Sequence, residues 1–363
     1  MNVQMEGSQA VAEILACCRP EVIAAYPISP QTHIVERLSA KVARGEIGRC
    51  QFVNVESEFA ALSVLIGASA SGARTYTATS SQGLLFMAEA VYNAAGLGLP
   101  IVMTIANRAV GAPINIWNDH SDSMALRDAG WIQLFAEHNQ EAIDLHIQAF
   151  RLAEALSCPV MVCMDGYVLT HASEPVDLPD AAHVDAYLPP YQPVQLLDPN
   201  DPVSIGAMVG PDAFAEVKYL AHHQHLRALD LIPELTQAFE QHFHRQSGGL
   251  CSPYRMEGAD IAVIAMGSVI GTIKDVVDEL RRASIPVGCI KIGCYRPFPM
   301  LQLRGLLEGV SRVIVVEKDL AVGVGGIVSA DVQLTLSGRQ IPLHTVIAGL
   351  GGRSISTSSL KQM

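Results

Sequence analysis

Hydrophobic residues in the first 180 positions fall into short continuous runs separated by amphipathic stretches. The short runs predict buried strands in EVIAAYPIS, CQFVNVES, RTYTATS, PIVMTIANR and CPVMVCMDG. Apolar residues at helical spacing predict helices in VAEILACC, PQTHIVERLSAKVAR, EFAALSVLIGASASG, SQGLLFMAEAVYNAAGL and EAIDLHIQAFRLAEAL. Strands that are apolar on both faces and alternate with helices predict a parallel sheet covered on both sides.

The pattern changes after this region and then returns. The Pro- and Asp-rich stretch EPVDLPDAAHVDAYLPPYQPVQLLDPNDP predicts an extended connector, and FAEVKYLAHHQHLRALDLIPELTQAFEQHFHR predicts a helix. Strands then alternate with helices again in DIAVIAMGS, GTIKDVVDELRRA, VGCIKIG, PMLQLRGLLEGV, RVIVVEKD, GGIVSADVQLTL and PLHTVIAG. We therefore expect an α/β protein with two doubly wound parallel-sheet domains, at 1–180 and 251–363, joined by a partly helical linker at 181–250.

Charge and hydropathy exclude several classes of partner. The formal net charge of −12 and the absence of Lys and Arg clusters argue against nucleic acid and anionic membrane surfaces. The N-terminus lacks the basic and apolar regions of a signal peptide, and no stretch reaches the ~18 apolar residues of a membrane span. These features predict a cytoplasmic protein.

The chain contains candidate metal ligands, but their spacing does not form a site. Eight cysteines are scattered without the spacing of a zinc or iron–sulfur motif, so we expect reduced core thiols. The pair Cys289 and Cys294 has no second pair beside it. The HHQH segment at 222–225 would point its side chains in different directions on a helix, which favours a solvated helix face. The sequence therefore predicts no metal site in this chain.

A glycine-rich segment in the C-terminal region resembles a dinucleotide motif only in part. The strand VIVVEKD leads into Gly323, Gly325 and Gly326, but the last position of G-x-G-x-x-G is not met and no acidic residue follows at the required distance. We interpret these glycines as a tight loop that lets a helix start close to the sheet or to a partner.

Polar residues follow four of the predicted strands, at the edge where ligands of open α/β sheets bind. These positions are Tyr26 to Pro30, Glu56 to Glu58, Thr79 to Gly83, and Ala106 to Arg108. Singly, each has a structural explanation, such as a helix cap for Ser29 or a surface charge for Arg108. Together they supply a hydroxyl, a carboxylate in apolar company and an arginine suited to gripping a carboxylate.

These segments resemble a known family. YPISP, ESEFAA, TSSQGL and ANRAVGAPINIWNDHSD, with YRPFP and VVEKDLAVGVGGIVSADV, are similar to the signature stretches of the α subunit of thiamine-diphosphate-dependent 2-oxoacid:ferredoxin oxidoreductases, the pyruvate synthase type. The resemblance covers nearly the whole chain. It implies a pyrimidine-binding domain at 1–180, a linker at 181–250 and a transketolase-C-like domain at 251–363.

The resemblance also implies roles for the catalytic candidates. Glu58 matches the glutamate that bonds N1′ of the aminopyrimidine ring, where it favours the imino tautomer. Arg108 matches the arginine that holds the substrate carboxylate, for which a planar fork suits better than lysine. Ser29 stands where many members have threonine and would hydrogen-bond the 2-oxo acid. Glu56 is then the more exposed neighbour of Glu58.

Pro27, Ile28 and Gln82 lie in the same motifs and are expected to contact the cofactor. The chain lacks the G-D-G sequence that begins a magnesium and diphosphate loop, and MDGY at 164–167 does not replace it. The resemblance therefore implies that thiamine diphosphate is shared with a β subunit that carries the diphosphate and Mg²⁺ site. It also implies γ and ferredoxin-like δ subunits, iron–sulfur clusters in the partners and coenzyme A as co-substrate.

The expected reaction is oxidative decarboxylation of a 2-oxo acid to acyl-CoA and CO₂, with ferredoxin, or NAD through a flavin subunit, as final acceptor. Arg108 could hold the carboxylate of many 2-oxo acids. They include pyruvate, 2-oxoglutarate, branched-chain 2-oxo acids and aromatic ones such as phenylglyoxylate. Trp117, and the methyl group that Ser29 lacks relative to threonine, favour an aromatic or bulky side chain on the substrate. Two alternatives stay open: the β chain of a lipoate-linked 2-oxoacid dehydrogenase, and a non-catalytic scaffold subunit.

Overall fold

A computed structural model describes residues 2–363. Its largest sheet has seven strands in the order β12-β6-β7-β5-β4-β2-β3, parallel except for β12. The strands are β2 (Val22–Ala25), β3 (Gln51–Asn54), β4 (Thr75–Thr79), β5 (Val102–Asn107), β6 (Ile132–Phe135), β7 (Val160–Asp165) and β12 (Cys294–Arg296). Every residue of β4, β5, β6 and β7 is buried, so the predicted parallel sheet covered on both faces is confirmed.

Helices pack on both faces of this sheet and on each other. They are α1 (Gly7–Cys18), α2 (Thr32–Ala43), α3 (Glu58–Ala70), α4 (Ser81–Phe86), α5 (Ala88–Gly96), α6 (Ser121–Ala125) and α7 (Asn139–Leu156). The predicted single helix after β4 is wrong, because the chain breaks at Met87 and continues as a second helix. Helix α7 lies in the core, with fourteen of its residues buried.

The chain changes direction across the sheet between β2 and β4. Strand β3 pairs on one side of β2, and β4 pairs on its other side. This reversal is a topological switch point, where loops beyond the strand ends leave a crevice. The loops that follow β2, β3 and β4 therefore meet beside this crevice.

A two-stranded antiparallel sheet was not predicted. Strand β1 (Asn2–Glu6) pairs with β8 (Ser173–Asp177), which lies in the stretch expected to be an extended connector. The pairing joins the start of the chain to the segment after β7.

The linker region contains three helices, α8 (Ala181–Tyr187), α9 (Pro211–Leu226) and α10 (Ala228–Phe243). The helix predicted after the connector is thus two helices, which meet at Arg227. None of the residues of α9 is fully buried, and His222 and His223 are exposed, in accord with a solvated helix face. His225 departs from this prediction, because it is half-buried and its Nε2 atom is inaccessible to solvent. Helix α10 packs on the larger unit through Ile232, Leu235 and Phe239.

The second sheet has five strands in the order β14-β13-β10-β11-β9, with only β9 antiparallel. Its elements are β9 (Cys251–Tyr254), β10 (Ile261–Ala265), α11 (Val269–Arg282), β11 (Val287–Ile292), α12 (Met300–Leu306), β13 (Arg312–Glu317), α13 (Ile327–Thr335), β14 (Leu343–Ile347) and α14 (Thr357–Gln362). The two parallel-sheet units of the predicted fold are confirmed, and the residue boundaries 180 and 250 stay a prediction.

The glycine-rich loop after β13 lets α13 begin against the sheet. A Cβ atom at Gly326 would overlap the Glu317 carboxylate, which accepts hydrogen bonds from the N–H groups of Val328 (2.7 Å) and Ser329 (3.2 Å). A carboxylate at this position satisfies free N–H groups of the first helical turn. The loop interpretation is confirmed at Gly326.

The two sheet units are joined by one shared strand and by ion pairs. Strand β12 leaves the second unit and adds to the edge of the larger sheet beside β6. Lys291 of β11 forms an ion pair with Glu141 of α7, and Lys274 of α11 pairs with Glu137 at 2.7 Å. Among residues 2–363 no helix combines the length and the apolar character needed to span a bilayer.

Candidate active site

The loop after β2 is held by its own backbone and by Gln31. The carbonyl group of Ile28 accepts a hydrogen bond from the Gln31 N–H at 3.0 Å, and the Gln31 side chain donates to the Tyr26 carbonyl at 2.9 Å. The Ser29–Pro30 peptide is cis. Gln31 is buried, so this loop is anchored from inside the protein.

Ser29 does not cap the helix that follows. Helix α2 begins at Thr32, with Gln31 at the cap position, so the N-cap interpretation of Ser29 is wrong. The chain makes a turn around Ser29 and Pro30 before the helix can start. Ser29 is exposed on the rim, and its hydroxyl makes no hydrogen bond to another described residue.

Glu58 is the first residue of α3 and is buried, with 7% of its surface exposed. The hydroxyl of Ser57 accepts a hydrogen bond from the Ala60 N–H at 3.2 Å and caps the helix. A carboxylate in the first turn of a helix is favoured by the helix dipole. Glu56 is exposed, as expected for the outer member of the pair.

Gly83 makes room for the Glu58 carboxyl group. A Cβ atom at Gly83 would lie 2.5 Å from Oε1 of Glu58 and 2.7 Å from the Thr79 hydroxyl. Any larger residue would displace the carboxyl group from this position. The end of β4 and the start of α4 therefore form one wall, and Glu58 lies against it.

Gln82 lies beside the loop that carries Arg108. A Cβ atom at Gly111 would lie 2.6 Å from Nε2 of Gln82, and the Ser81 hydroxyl donates to the Ala109 carbonyl at 2.6 Å. The loops after β4 and β5 are therefore packed against each other at the rim.

Arg108 follows β5 and is 7% exposed. Its guanidinium group donates to two carbonyl oxygens, those of Ser29 at 2.9 Å and Asn115 at 3.1 Å. No carboxylate within residues 2–363 forms an ion pair with it. A buried guanidinium held only by neutral acceptors keeps its charge available for an anionic ligand.

The structure thus joins the four predicted strand-end segments by direct contacts. Arg108 contacts the backbone of Ser29, and the loop of Arg108 packs on Gln82, which precedes the glycine against Glu58. Ile28 is half-buried and Pro27 is exposed on the same loop as Ser29. The roles predicted for these residues stay predictions.

Asp122 belongs to this arrangement and was not singled out in the sequence. It is completely buried, and its carboxylate accepts hydrogen bonds from the backbone N–H groups of Ser81 and Arg108, both at 2.9 Å. Burial raises the pKa of Asp122 to about 6, against the lowering effect of its hydrogen bonds. The polar stretch NDHSD gave no signal for this role, because the contacts are to distant backbone groups.

A second buried carboxylate, Asp165, lies at the end of β7 where the two sheet units meet. It contacts His120 Nε2 at 2.8 Å and Lys318 Nζ at 2.6 Å, and accepts a hydrogen bond from the Ser268 N–H at 3.0 Å. Burial alone would raise its pKa, but Lys318 and His120 hold the pKa of Asp165 well below its usual range. The contacts of Asp165 with Lys318 and Ser268 hold the second sheet unit against the rim of the first.

The segment between Arg108 and Asp122 also contacts the second unit. The Asn115 side chain donates to the Gly351 carbonyl at 3.1 Å, and Asp119 accepts from the Gly351 N–H at 3.0 Å. The His120 N–H donates to the Lys318 carbonyl at 2.8 Å. Both sheet units therefore support the loop that carries the arginine.

Within residues 2–363 no three His, Cys, Asp or Glu side chains come together in an arrangement that could hold a metal ion. The eight cysteines are free thiols. Burial raises the pKa of Cys158, Cys251 and Cys289 to about 12, so these thiols are protonated near neutral pH.

A parallel α/β sheet that carries a buried carboxylate and an unpaired arginine at its switch point defines a ligand-binding protein of the doubly wound class. Residues 14–236 match the family model of the thiamine diphosphate-binding region of pyruvate flavodoxin/ferredoxin oxidoreductase, and residues 259–360 match core domain II of pyruvate:ferredoxin oxidoreductase. The chain belongs to the pyruvate flavodoxin/ferredoxin oxidoreductase family and is an enzyme subunit of that class.

Curated relatives match almost the whole chain. The pyruvate synthase subunit PorA of Methanosarcina barkeri is 47% identical over 99% of this chain and 91% of its own length. PorA of Methanothermobacter thermautotrophicus is 42% identical over 99% and 93%. The ketoisovalerate oxidoreductase subunit VorA of Pyrococcus abyssi is 37% identical over 98% and 91%.

A solved structure has the same fold. The 2-oxoglutarate:ferredoxin oxidoreductase from Magnetococcus marinus, with 2-oxoglutarate, coenzyme A and succinyl-CoA bound, superposes with a TM-score of 0.75 at 20% identity. The match covers 99% of this chain but only 64% of the longer solved chain. This similarity confirms the α/β architecture with two sheet units.

Proposed function

We propose that this chain is the α subunit of a 2-oxoacid:acceptor oxidoreductase that converts pyruvate, coenzyme A and an oxidised acceptor to acetyl-CoA, CO₂ and the acceptor reduced by two electrons. The observation that carries the proposal is the Arg108 guanidinium, which is buried at the rim, held by carbonyl groups and free of any carboxylate partner within residues 2–363. The names of the PorA relatives support pyruvate as the substrate. The VorA relative makes the branched-chain 2-oxo acid the second candidate.

The residues at the rim fit the aminopyrimidine half of thiamine diphosphate. The family model names this cofactor, and the Glu58 carboxyl group is buried at the position that Gly83 leaves open. Glu58 would hold the proton on the ring nitrogen. The aminopyrimidine ring would lie in contact with Pro27, Ile28 and Gln82. When bound, thiamine diphosphate supplies the nucleophilic carbon that attacks the 2-oxo carbon.

Arg108 would bind the substrate carboxylate through two parallel N–H···O bonds and so aim the 2-oxo carbon at the cofactor. The hydroxyl of Ser29 would donate to the 2-oxo oxygen. Because the Ser29 carbonyl already holds Arg108, one short loop would set both the arginine and the hydroxyl.

Partner subunits complete the proposed enzyme. A β subunit would hold the diphosphate and Mg²⁺, and γ and ferredoxin-like δ subunits would carry iron–sulfur clusters that take the electrons one at a time. The relatives are named as subunits, which supports an assembly of several chains.

The test is an anaerobic purification of the complex that contains this chain, with an assay of 2-oxo acids, coenzyme A and an artificial dye. We expect pyruvate to be the preferred substrate. Arg108→Ala should lower kcat/KM, mainly by raising KM, which corresponds to a loss of about 2–5 kcal/mol of transition-state binding. Arg151→Ala is the control, since Arg151 stacks on Tyr187 at 4.4 Å in the α7 region. Unchanged kinetics of the Arg108 variant would indicate a scaffold subunit, and transfer to lipoamide without iron–sulfur absorbance would indicate the lipoate-linked class.

A further inference from the structure

The Asp122 carboxylate is surrounded by N–H donors. Its Oδ2 accepts from the backbone N–H groups of Ser81 and Arg108, both at 2.9 Å. Its Oδ1 accepts from the Asn107 side chain and from the Ser123 N–H, both at 2.8 Å. Asp122 is completely buried, and of the four donors only the Asn107 amide has a second acceptor, the Ser123 hydroxyl at 2.9 Å.

Two of these donors come from the ends of different strands. Ser81 follows β4, and Arg108 follows β5. A single carboxylate oxygen thus links the turn that leads into Gln82 with the residue that carries the guanidinium group. Asp122 therefore ties the two loops together, in addition to the bond from the Ser81 hydroxyl to the Ala109 carbonyl.

The backbone of Ser81 needs this support. Ser81 has a φ of +50°, in the left-handed region that residues other than glycine seldom adopt. A conformation of this kind persists where neighbouring contacts impose it, and such positions are common at functional sites. The charge-assisted bond from the Ser81 N–H to Asp122 is one of those contacts.

Asp122 has no cationic partner to explain its burial. No Lys, Arg or His side chain of residues 2–363 forms an ion pair with it, because the Arg108 guanidinium points to Ser29 and Asn115. Burial raises its pKa to about 6, while the four N–H donors act in the opposite direction by stabilising the charged carboxylate. Asn in place of Asp122 would turn an NH₂ group, which donates, toward the two N–H donors on one of the carboxylate oxygens, and those donors would lose their acceptor.

We propose that Asp122 is a positioning residue for the substrate site, which sets the backbone of Arg108 and of the Ser81 turn so that the guanidinium group meets the substrate carboxylate. The inference rests on the proposed function, which assigns Arg108 to the substrate. Asp122 acts through the Arg108 backbone and touches neither substrate nor cofactor.

The test compares Asp122→Asn with Asp144→Asn in the purified complex. Asp144 of α7 is a matched control, since it is also completely buried but pairs with Arg245, which follows α10. We expect Asp122→Asn to raise the KM for the 2-oxo acid and to lower kcat/KM by about 10–100-fold, the range for losing a buried charged hydrogen-bond acceptor. Asp144→Asn should lower the melting temperature without changing KM. An equal rise of KM in both variants would overturn the proposal, because it would trace to general destabilisation.

A double variant separates positioning from a structural role. In the Arg108→Ala background, Asp122→Asn should lower kcat/KM by less than about twofold, because the group it positions is already absent. A full additional loss would overturn the proposal. If Asp122→Asn does not fold, Asn107→Ala decides: it removes one donor to Oδ1, and a KM unchanged from wild type would overturn the proposal.

The outcome for Arg108 distinguishes this inference from the proposed function. An impaired Arg108→Ala with an unimpaired Asp122→Asn removes the positioning role and leaves the proposed function standing. An unimpaired Arg108→Ala removes both.

Discussion

Some buried polar residues in this protein are held by short hydrogen bonds to their neighbours. His146 of α7 is an example: its Nδ1 contacts the Ala142 carbonyl at 2.6 Å, and its Nε2 contacts the Thr104 hydroxyl at 2.6 Å. Because a carbonyl oxygen only accepts, Nδ1 carries the proton and Nε2 accepts. Thr104 in turn contacts the Tyr76 hydroxyl at 2.6 Å. Because the ring is completely buried and a charge is costly there, the most stable packing requires neutral His146.

This requirement predicts a pH dependence of stability. Burial lowers the pKa of His146 to about 4, whereas the unfolded chain has a value near 6.5. The unfolded state then binds more protons between these values, so stability falls as the pH falls below about 6.5. Between pH 7 and pH 5 the free energy of unfolding should fall by about 2 kcal/mol more in wild type than in His146→Gln. Urea titrations of both chains at the two pH values measure it, and parallel losses would refute it.

At the scale of elements, the strand ends form the rim because helices begin immediately after them. Helix α3 begins with Glu58 and α4 begins with Ser81, so the first turn of each helix borders the crevice. Glycine at position 83 allows these two helix starts to approach each other. The placement of the Glu58 carboxyl group thus depends on the helix that lies opposite.

Substituting Gly83 should therefore disturb the site more than the fold. Gly83→Ala places a methyl group 2.5 Å from Oε1 of Glu58, and we expect turnover to fall at least about tenfold, because small displacements of reacting groups are costly. Gly271→Ala in α11 is the control, since its Cβ meets no atom within 4 Å and alanine favours a helix. Assays and melting curves of both variants measure the two effects. Equal turnover of both variants would show that Gly83 does not position Glu58.

The sequence predicted most elements of the sheets and missed those that depend on distant partners. Continuous apolar runs identified β2 to β5 and β7, since burial on both faces leaves a local pattern. Strand β6 was missed because the polar Gln133 interrupts its apolar run, and β12 pairs with it from another part of the chain. The break at Met87 also had no local signal.

The candidate site was predicted to the level of residues but not of contacts. Strand ends and residue types selected the four segments, and the family resemblance then selected Glu58, Arg108 and Ser29 within them as candidates. They could not show that the Ser29 carbonyl, rather than its hydroxyl, contacts Arg108. Nor could they identify Asp122, whose partners are backbone groups brought together only by folding.

At the scale of the whole molecule, buried ion pairs and strand β12 join the two sheet units beside the rim. Glu141 is buried at this junction, where burial alone would raise its pKa, but the Lys291 ammonium lowers it. Glu141 also accepts hydrogen bonds from the N–H groups of Glu137 at 2.7 Å and Gly248 at 3.2 Å. The second unit is therefore part of the support of the site.

Breaking this pair should destabilise the protein strongly. Lys291→Met leaves Glu141 buried without its cation, and the free energy of unfolding should fall by about 3–5 kcal/mol. The double variant Lys291→Met with Glu141→Gln should recover part of the loss, because no uncompensated charge remains. Lys361→Met, which breaks a surface pair with Glu279, should change stability little. Denaturant midpoints of these variants measure the effects, and similar midpoints for Lys291→Met and Lys361→Met would be inconsistent with a buried pair.

The most direct measurement compares the turnover of Glu58→Gln and Glu56→Gln complexes under the same anaerobic conditions. Both changes remove one carboxylate from the same segment, but Glu58 is buried at the rim and Glu56 is exposed. If Glu58 holds the proton on the aminopyrimidine, its variant should assemble normally and lose about 10²–10⁴-fold in turnover, while Glu56→Gln stays within about twofold of wild type. Near-normal turnover of Glu58→Gln would contradict the account.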